Sequence, residues 1–133
     1  MGFDFGLRQI GVAVGNLTTL SSQALTTLRA RDGVPDWAAL EALVLEWQPQ
    51  QLVVGKPLNM DGTDSDLSKR AEKFGRRIHE RLRLPVSYED ERLSSFEAKQ
   101  LLSEQGHRGD YRADPADSLA AKLILDTWLD RQG

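Results

Sequence analysis

The chain has 133 residues, of which 40% are hydrophobic and 28% are charged, and it contains no cysteine. This length fits one domain with a hydrophobic core, and the composition is ordinary for a globular protein. The lack of cysteine excludes disulfide bonds and thiolate metal sites. No apolar run reaches the ~20 residues of a membrane span and no signal-peptide pattern opens the chain, so we expect a cytoplasmic protein that does not bind membranes.

Acidic and basic residues are unevenly distributed along the chain, whose net charge is −3. Seven of the 17 Lys and Arg residues fall between positions 69 and 83, and acidic residues gather nearer the C-terminus. The seven cations are Lys69, Arg70, Lys73, Arg76, Arg77, Arg81 and Arg83. The acidic balance disfavours a general nucleic-acid binder, but the segregation permits a local phosphate-binding face.

The first residues are typical of two short strands, 2–5 and 10–16, joined tightly through Gly6. Asp4 lies between two Phe residues, and because side chains alternate across a strand it faces away from both. A carboxylate inside a central strand is costly unless it is hydrogen-bonded, paired or bound to a metal. The pattern favours a metal-binding acid at a strand end. A satisfied carboxylate, or one paired with Arg8, is the alternative.

A strand, a turn and a helix are predicted next. The strand covers 24–29 and the turn is Arg31-Asp32-Gly33. Pro35 suits the first turn of a helix that continues to about Gln48. The helix is indicated by apolar residues at helical spacing, namely Trp37, Leu40, Val44 and Trp47.

The central part of the chain alternates predicted strands and a helix. The run 51–55 is typical of a buried parallel strand. In the turn-rich loop 56–63, Asp61 is expected to be a turn residue rather than a metal ligand. An apolar stripe then predicts a long helix with basic residues on its other faces, and 86–90 is another strand. The stripe is Leu67, Ala71, Phe74, Ile78 and Leu82.

Two more helices complete the predicted fold. A capping-box pattern at Ser94 and Glu97 opens the first, which ends at Gly106. Asp114-Pro115 opens the second, whose buried side is Ala120, Ala121, Ile124 and Trp128. The order predicts a single α/β domain over 1–133. Its mixed sheet has five strands, of which the first three are antiparallel and the later ones alternate with helices.

Four separate motifs, which together span nearly the whole chain, resemble the YqgF/RuvX family. They are Asp4-Phe5-Gly6 with Ile10-Gly11-Val12-Ala13, the run from Val53 to Thr63, Asp90-Glu91-Arg92-Leu93-Ser94, and Asp117-Ser118 with Ala120-Ala121. The resemblance implies a ribonuclease-H-like fold related to the Holliday-junction resolvases. It also implies a nuclease that trims the 5′ end of pre-16S rRNA during ribosome biogenesis in the bacterial cytoplasm.

The resemblance carries the family's acids onto Asp4, Glu91 and Asp117 as catalytic and metal-binding residues. Mg²⁺ or Mn²⁺ is the implied cofactor, because phosphodiester hydrolysis needs an activated water and neutralised phosphate charge, and oxygen ligands suit such hard cations. In this interpretation Asp4 bridges two metal ions, and Glu91 and Asp117 each hold one.

Two departures from the family pattern, and one from the related resolvases, stand in the sequence. Pro115 occupies the position two residues before the last acid, where the family often has Lys. The related resolvases place a carboxylate in the strand where this chain has Val53-Val54-Gly55. The first strand also starts abruptly at Met1-Gly2, where relatives usually run a few residues longer.

Two of the predicted acids have alternatives. Since alternation lets only one of two neighbours face a site, Asp90 is the alternative to Glu91. Asp117 falls in the first turn of a predicted helix, where a carboxylate complements the helix dipole and the capping amides without any catalysis.

Predicted nucleic-acid contacts come from the basic helix and from loops near the acids. They are Arg8, Lys56, Asn59, Lys69, Arg70, Lys73, Arg76, Arg77 and Arg92. The alternative is a solvated helix face on which Glu72 and Glu80 pair with neighbouring cations. Contacts to nucleic acid would go mainly to phosphates and would weaken with salt.

Three functions therefore remain open at the level of sequence. The first is a metal-dependent nuclease that processes pre-rRNA. The second is a resolvase-like nuclease on branched DNA. The third is a catalytically weak module that binds nucleic acid or the ribosome, which the missing resolvase carboxylate favours slightly.

Overall fold

A computed structural model describes residues 1–59, 61–90 and 115–132, with side chains from 118 onward in the last range. The elements are β1 (Gly2–Asp4), β2 (Gln9–Asn16), β3 (Ser21–Arg31), β4 (Val34–Pro35), α1 (Trp37–Trp47), β5 (Leu52–Lys56), α2 (Asp66–Leu82), β6 (Val86–Asp90) and α3 (Pro115–Asp130). Among these helices none has the length and apolar character needed to cross a membrane. The helix predicted over 94–106 lies outside the described residues.

One mixed sheet forms the centre of the fold, with strand order β4-β3-β2-β1-β5-β6. Neighbours from β4 to β1 are antiparallel, and β5 runs parallel to both β1 and β6. The predicted mixed α/β sheet is confirmed, with a sixth strand added by the two-residue β4.

The prediction that Pro35 opens the first helix is wrong. Pro35 ends β4 at the edge of the sheet, where a residue without an N–H is tolerated. Asp36 is the N-cap of α1, and its Oδ1 accepts hydrogen bonds from the N–H groups of Ala38 (3.1 Å) and Ala39 (3.3 Å). A side-chain acceptor that satisfies two otherwise unpaired amides is a stronger helix start than proline.

Aromatic residues dominate the core between the sheet and α1 and α2. Phe74, on the predicted apolar stripe of α2, is 2% exposed. Its ring centroid lies 5.6 Å from that of Phe3, 5.5 Å from that of Phe5 and 6.4 Å from that of Trp37. These contacts fix α2 over the end of β1.

Small residues form the other face of the sheet, against which α3 packs. Ala13 and Val53 are fully buried there with Ala121, Ile124 and Leu125. A Cβ added at Gly2 would lie 3.0 Å from Leu125 Cβ and 3.2 Å from the Ala121 carbonyl. Glycine at this position therefore allows the helix to approach β1 closely.

Reciprocal capping fixes the start of the basic helix α2. Ser65 Oγ accepts from the Ser68 N–H (3.0 Å), and Ser68 Oγ accepts from the Ser65 N–H (2.8 Å). The helix ends at Arg83 in the left-handed region, with φ 57°. Its bounds agree with the predicted long helix, whose stripe residues Ala71 and Ile78 are fully buried.

Candidate functional site

Asp4 ends β1 with glycine on both neighbouring strands. The register pairs Asp4 with Gly11 of β2. On the other side Val54 is the partner of Phe3, so Gly55 lies beside Asp4 on β5. The half-buried Asp4 carboxylate therefore has no side chain beside it on either neighbouring strand at this register position.

Glu89 is a second carboxylate on the same face of the sheet. It is the register partner of Gly55, so the row across four strands is Gly11, Asp4, Gly55 and Glu89. Glu89 is 6% exposed and forms an ion pair with Arg131 just beyond α3. Glu89 is not among the predicted site residues, although the alternation of side chains along β6 places it on the face opposite Asp90, which is the Asp4 face.

Asp90, the alternative metal ligand, belongs to the opposite face. It is paired in register with Lys56, whose ammonium reaches Glu72 on α2. Asp90 therefore faces the side of the sheet covered by α2, whereas Asp4 faces the side covered by α3. Glu91 and Arg92 lie outside the described residues.

Asp117 lies in the first turn of α3, which is the end of that helix nearest Asp4. Ala121 of α3 lies over Gly2, and Leu125 and Leu129 continue over Gly15, beyond the start of β1. The helix therefore runs opposite to β1, and its backbone at Asp117, one turn before Ala121, lies toward the strand end that carries Asp4. The Asp117 side chain is not among those described.

A complete cluster of metal ligands is not seen in the described part of the chain. No three His, Asp or Glu side chains among those residues come together in a metal-binding arrangement. Of the three predicted ligands, the described side chains include only Asp4.

Lys56, a predicted nucleic-acid contact, is held in an internal ion-pair network. Its ammonium forms a short ion pair with Glu72 and lies 3.6 Å from Asp64 Oδ1. The hydrogen bond that Lys56 Nζ donates to Glu72 is the largest cause of a raised Lys56 pKa. Glu72 thus connects α2 to β5, instead of pairing with a cation of its own helix.

The loop after Lys56 is ordered by its own side chains. Asn59 Nδ2 donates to Thr63 Oγ1 (3.0 Å) and to the Asp64 carbonyl (3.2 Å). Asp61 Oδ1 accepts from the backbone N–H and the hydroxyl of Thr63 (3.0 and 2.6 Å). Asp61 is a turn residue, as predicted, and Asn59 has a structural role in the same loop.

The cations of α2 fall into paired and unpaired groups. Arg70 Nη1 lies 2.8 Å from Asp32 Oδ1. Arg81 lies 3.4 Å from Glu41 Oε1 and 4.1 Å from the centroid of the Trp37 ring. No ion pair to the described residues is seen for the remaining α2 cations from the predicted set. They are Lys69, Lys73, Arg76 and Arg77.

Arg8 lies exposed on the loop between β1 and β2, close to the turn that carries Asp32. Its carbonyl accepts a hydrogen bond from the Ala30 N–H (2.8 Å), and the neighbouring Leu7 carbonyl accepts one from the Gly33 N–H (2.9 Å). These hydrogen bonds join the β1–β2 loop to the β3–β4 turn near the C-terminal end of β1.

The whole chain is similar to a known family and to its curated members. The family model RuvX, described as Holliday junction resolvase, matches residues 1–131. Three relatives bear the name "Putative pre-16S rRNA nuclease". The protein of Saccharophagus degradans is 53% identical over 96% of this chain and 90% of its own length. The Pseudomonas putida protein is 54% identical over 98% and 93%, and the Azotobacter vinelandii protein is 56% identical over 97% and 91%.

A solved structure supports the same fold. T. thermophilus RuvC, in complex with a Holliday junction substrate, matches with a TM-score of 0.57 and 16% sequence identity over 99% of this chain and 94% of the RuvC chain. This likeness concerns the fold, which is the ribonuclease-H-like one that the sequence motifs imply. The family match and the relatives' identities together show that the chain belongs to the RuvX family.

Proposed function

We propose that this protein is a metal-dependent nuclease that processes the 5′ end of pre-16S rRNA in the cytoplasm, as a single domain over 1–133. The observation that carries the proposal is the position of Asp4, a carboxylate at a strand end between two glycines. The names of relatives more than 50% identical to the chain supply the substrate.

Asp4, Glu91 and Asp117 would hold Mg²⁺ or Mn²⁺. Carboxylate oxygens are the donors that these hard cations prefer. When bound, such ions activate a water and neutralise charge on the scissile phosphate. Asp4 would contribute its carboxylate from the sheet, and Asp117, in the first turn of α3, would contribute one from the covering layer.

The α2 cations that have no ion pair among the described residues would bind the substrate strand. Lys73 and Arg77 lie on the side of α2 that carries Phe74, whose ring contacts Phe5, the residue after Asp4. A strand whose phosphates lie along this side would therefore pass the end of β1, where Asp4 lies. Lys69 and Arg76 would add charge, and Arg8 and Arg92 would do so from loops.

A second candidate substrate is branched DNA. It is favoured by the description of the matching family model as Holliday junction resolvase. Both substrates contain the same phosphodiester group, so the proposed residues would act alike on either.

One cleavage assay tests the proposal. Purified protein is incubated with a pre-16S rRNA 5′ fragment or with a four-way DNA junction, in Mg²⁺, Mn²⁺ or chelator. We expect the RNA to be cut in either metal and spared in chelator. Asp4→Asn should lower the rate on the order of 10³-fold, because charge stabilisation by a bound metal contributes several kcal/mol to the transition state.

The Asp4→Asn control reveals a contaminating nuclease, and the comparison of RNA with the junction distinguishes the two candidate substrates. Equal cleavage by wild type and Asp4→Asn would assign the activity to another protein and overturn the proposal. Cleavage of the junction but not of the RNA would establish the second candidate. Tight RNA binding with no cleavage in any metal would support the catalytically weak module instead.

A further inference from the structure

A cleft of about 220 Å³ lies at the sheet edge where β1 ends. Its walls are the β3–β4 turn, the Phe5 ring and α2. The turn packs closely on this ring: Asp32 and Gly33 have φ of 51° and 82°, and a Cβ on Gly33 would lie 2.8 Å from Phe5 Cζ. Asp-Gly is the pair that such a two-residue hairpin turn favours.

Three cations of α2 line this cleft at helical spacing. Arg70, Lys73 and Arg77 are separated by three and four residues, so they share one side of the helix. Arg70 is paired with Asp32 at 2.8 Å. Within the described residues, Lys73 and Arg77 have no ion-pair partner. The cleft therefore holds an excess of positive charge with one carboxylate at its mouth.

The Asp32–Arg70 pair is exposed and easily exchanged. The side chains are 78% and 48% exposed, and an ion pair in such a setting stabilises the fold only weakly because water screens it. A phosphodiester carries the same single negative charge as the Asp32 carboxylate, and guanidinium binds both anions through the same planar donors.

We propose that the cleft is a subsite for one phosphodiester of a nucleic-acid strand, and that Asp32, at its mouth, occupies Arg70 in the free protein as an internal anion. The inference rests on the proposed function. The incoming phosphate takes the place of Asp32 on Arg70 and gains Lys73 and Arg77 as further donors. Beyond the Phe5 ring, the chain continues directly to Asp4.

Asp32→Asn tests this inference in a binding measurement that needs no cleavage. The probe is a fluorescein-labelled single-stranded RNA dodecamer, titrated in chelator and followed by anisotropy. Asn tolerates the positive φ of this turn as well as Asp does, so the variant keeps the fold. We expect its Kd to fall about fivefold, because Arg70 no longer has a competing carboxylate.

Glu46→Gln is the matched control. It removes the same charge from an exposed position on α1, outside the cleft, and should change the Kd less than twofold. In an Arg70→Gln background the gain from Asp32→Asn should shrink. Equal gains from Asp32→Asn and Glu46→Gln, or an undiminished gain without Arg70, would overturn the inference.

The outcome is separable from that of the cleavage assay. If Asp32→Asn tightens binding as expected while wild type and Asp4→Asn cleave alike, the subsite stands and the nuclease proposal falls. If Asp4→Asn abolishes cleavage while Asp32→Asn leaves the Kd unchanged, the nuclease stands and the subsite falls.

Discussion

The two faces of the central sheet differ in both packing and charge. Under α1 and α2, large rings fill the core around Phe74, and the outer side of α2 is rich in cations. Under α3, glycine and alanine bring the helix close to the strands, and the row beside Gly55 carries the carboxylates of Asp4 and Glu89.

This difference suits the two faces of the sheet to different ligands. Carboxylates on the α3 side suit a divalent cation, and cations on the α2 side suit phosphate. The faces meet where β1 ends, because Asp4 and Phe5 are consecutive residues that point to opposite sides of the sheet. One phosphodiester strand at this edge can therefore contact both.

The largest expected effect is on the aromatic face. Phe74→Ala removes a ring that contacts three others and should lower the free energy of unfolding by about 3–5 kcal/mol, since it leaves a cavity in the core. Urea unfolding followed by circular dichroism measures it. Leu45→Ala, at a 74% exposed position, should change stability by about 0.5 kcal/mol or less. Similar losses in both variants would contradict the packing described for this face.

A smaller loss of stability is expected when a side chain is added between the sheet and α3. Gly2→Ala adds a methyl group 3.0 Å from Leu125 Cβ and should cost about 1–3 kcal/mol, because α3 has to move away from β1. The same unfolding experiment applies, with the exposed Gln23→Ala as the control. A neutral Gly2→Ala would show that α3 does not depend on close approach.

The smallest effect concerns binding by single cations of α2. Lys73→Ala and Arg77→Ala should each weaken RNA binding and lower the slope of log affinity against log salt by about 0.7, as expected for one lost phosphate contact to a single strand. Arg83→Gln, at the far end of α2, removes a charge outside the cleft and should leave the slope nearly unchanged. Equal slopes in all three variants would mean that the cleft has no special role.

Local patterns predicted the fold well, because burial imposes clear periods on the sequence. The stripe through Phe74 gave α2 its length and inner face, and the run ending at Gly55 gave the parallel strand beside β1. Pro35 was misassigned, since its fixed φ suits both a helix start and an edge strand. The Asp36 side chain, which accepts hydrogen bonds from the first amides of α1, makes Asp36 and not Pro35 the start of the helix.

Pairings between distant segments are what the sequence did not reveal. Asp32 is 38 positions from Arg70, and Glu89 is far along the chain from Arg131, so neither pair follows from local spacing. Asp4 stands out in the sequence because an acid between two Phe residues in a strand is costly without a partner, and its role as a metal ligand stays a prediction. No local sequence pattern predicts the ion pair of Lys56 with Glu72, because it forms only when α2 packs against β5.

Binding of Mn²⁺ followed in the amide NMR spectrum tests the central claim, that the α3 face of the sheet holds the metal beside Asp4. Paramagnetic broadening should remove the signals of Gly11 and Gly55, the neighbours of Asp4, in the wild-type protein and spare them in Asp4→Asn. Signals of α1 should persist in both proteins. Sharp Gly11 and Gly55 signals at saturating Mn²⁺, or the same broadening in Asp4→Asn, would contradict the account.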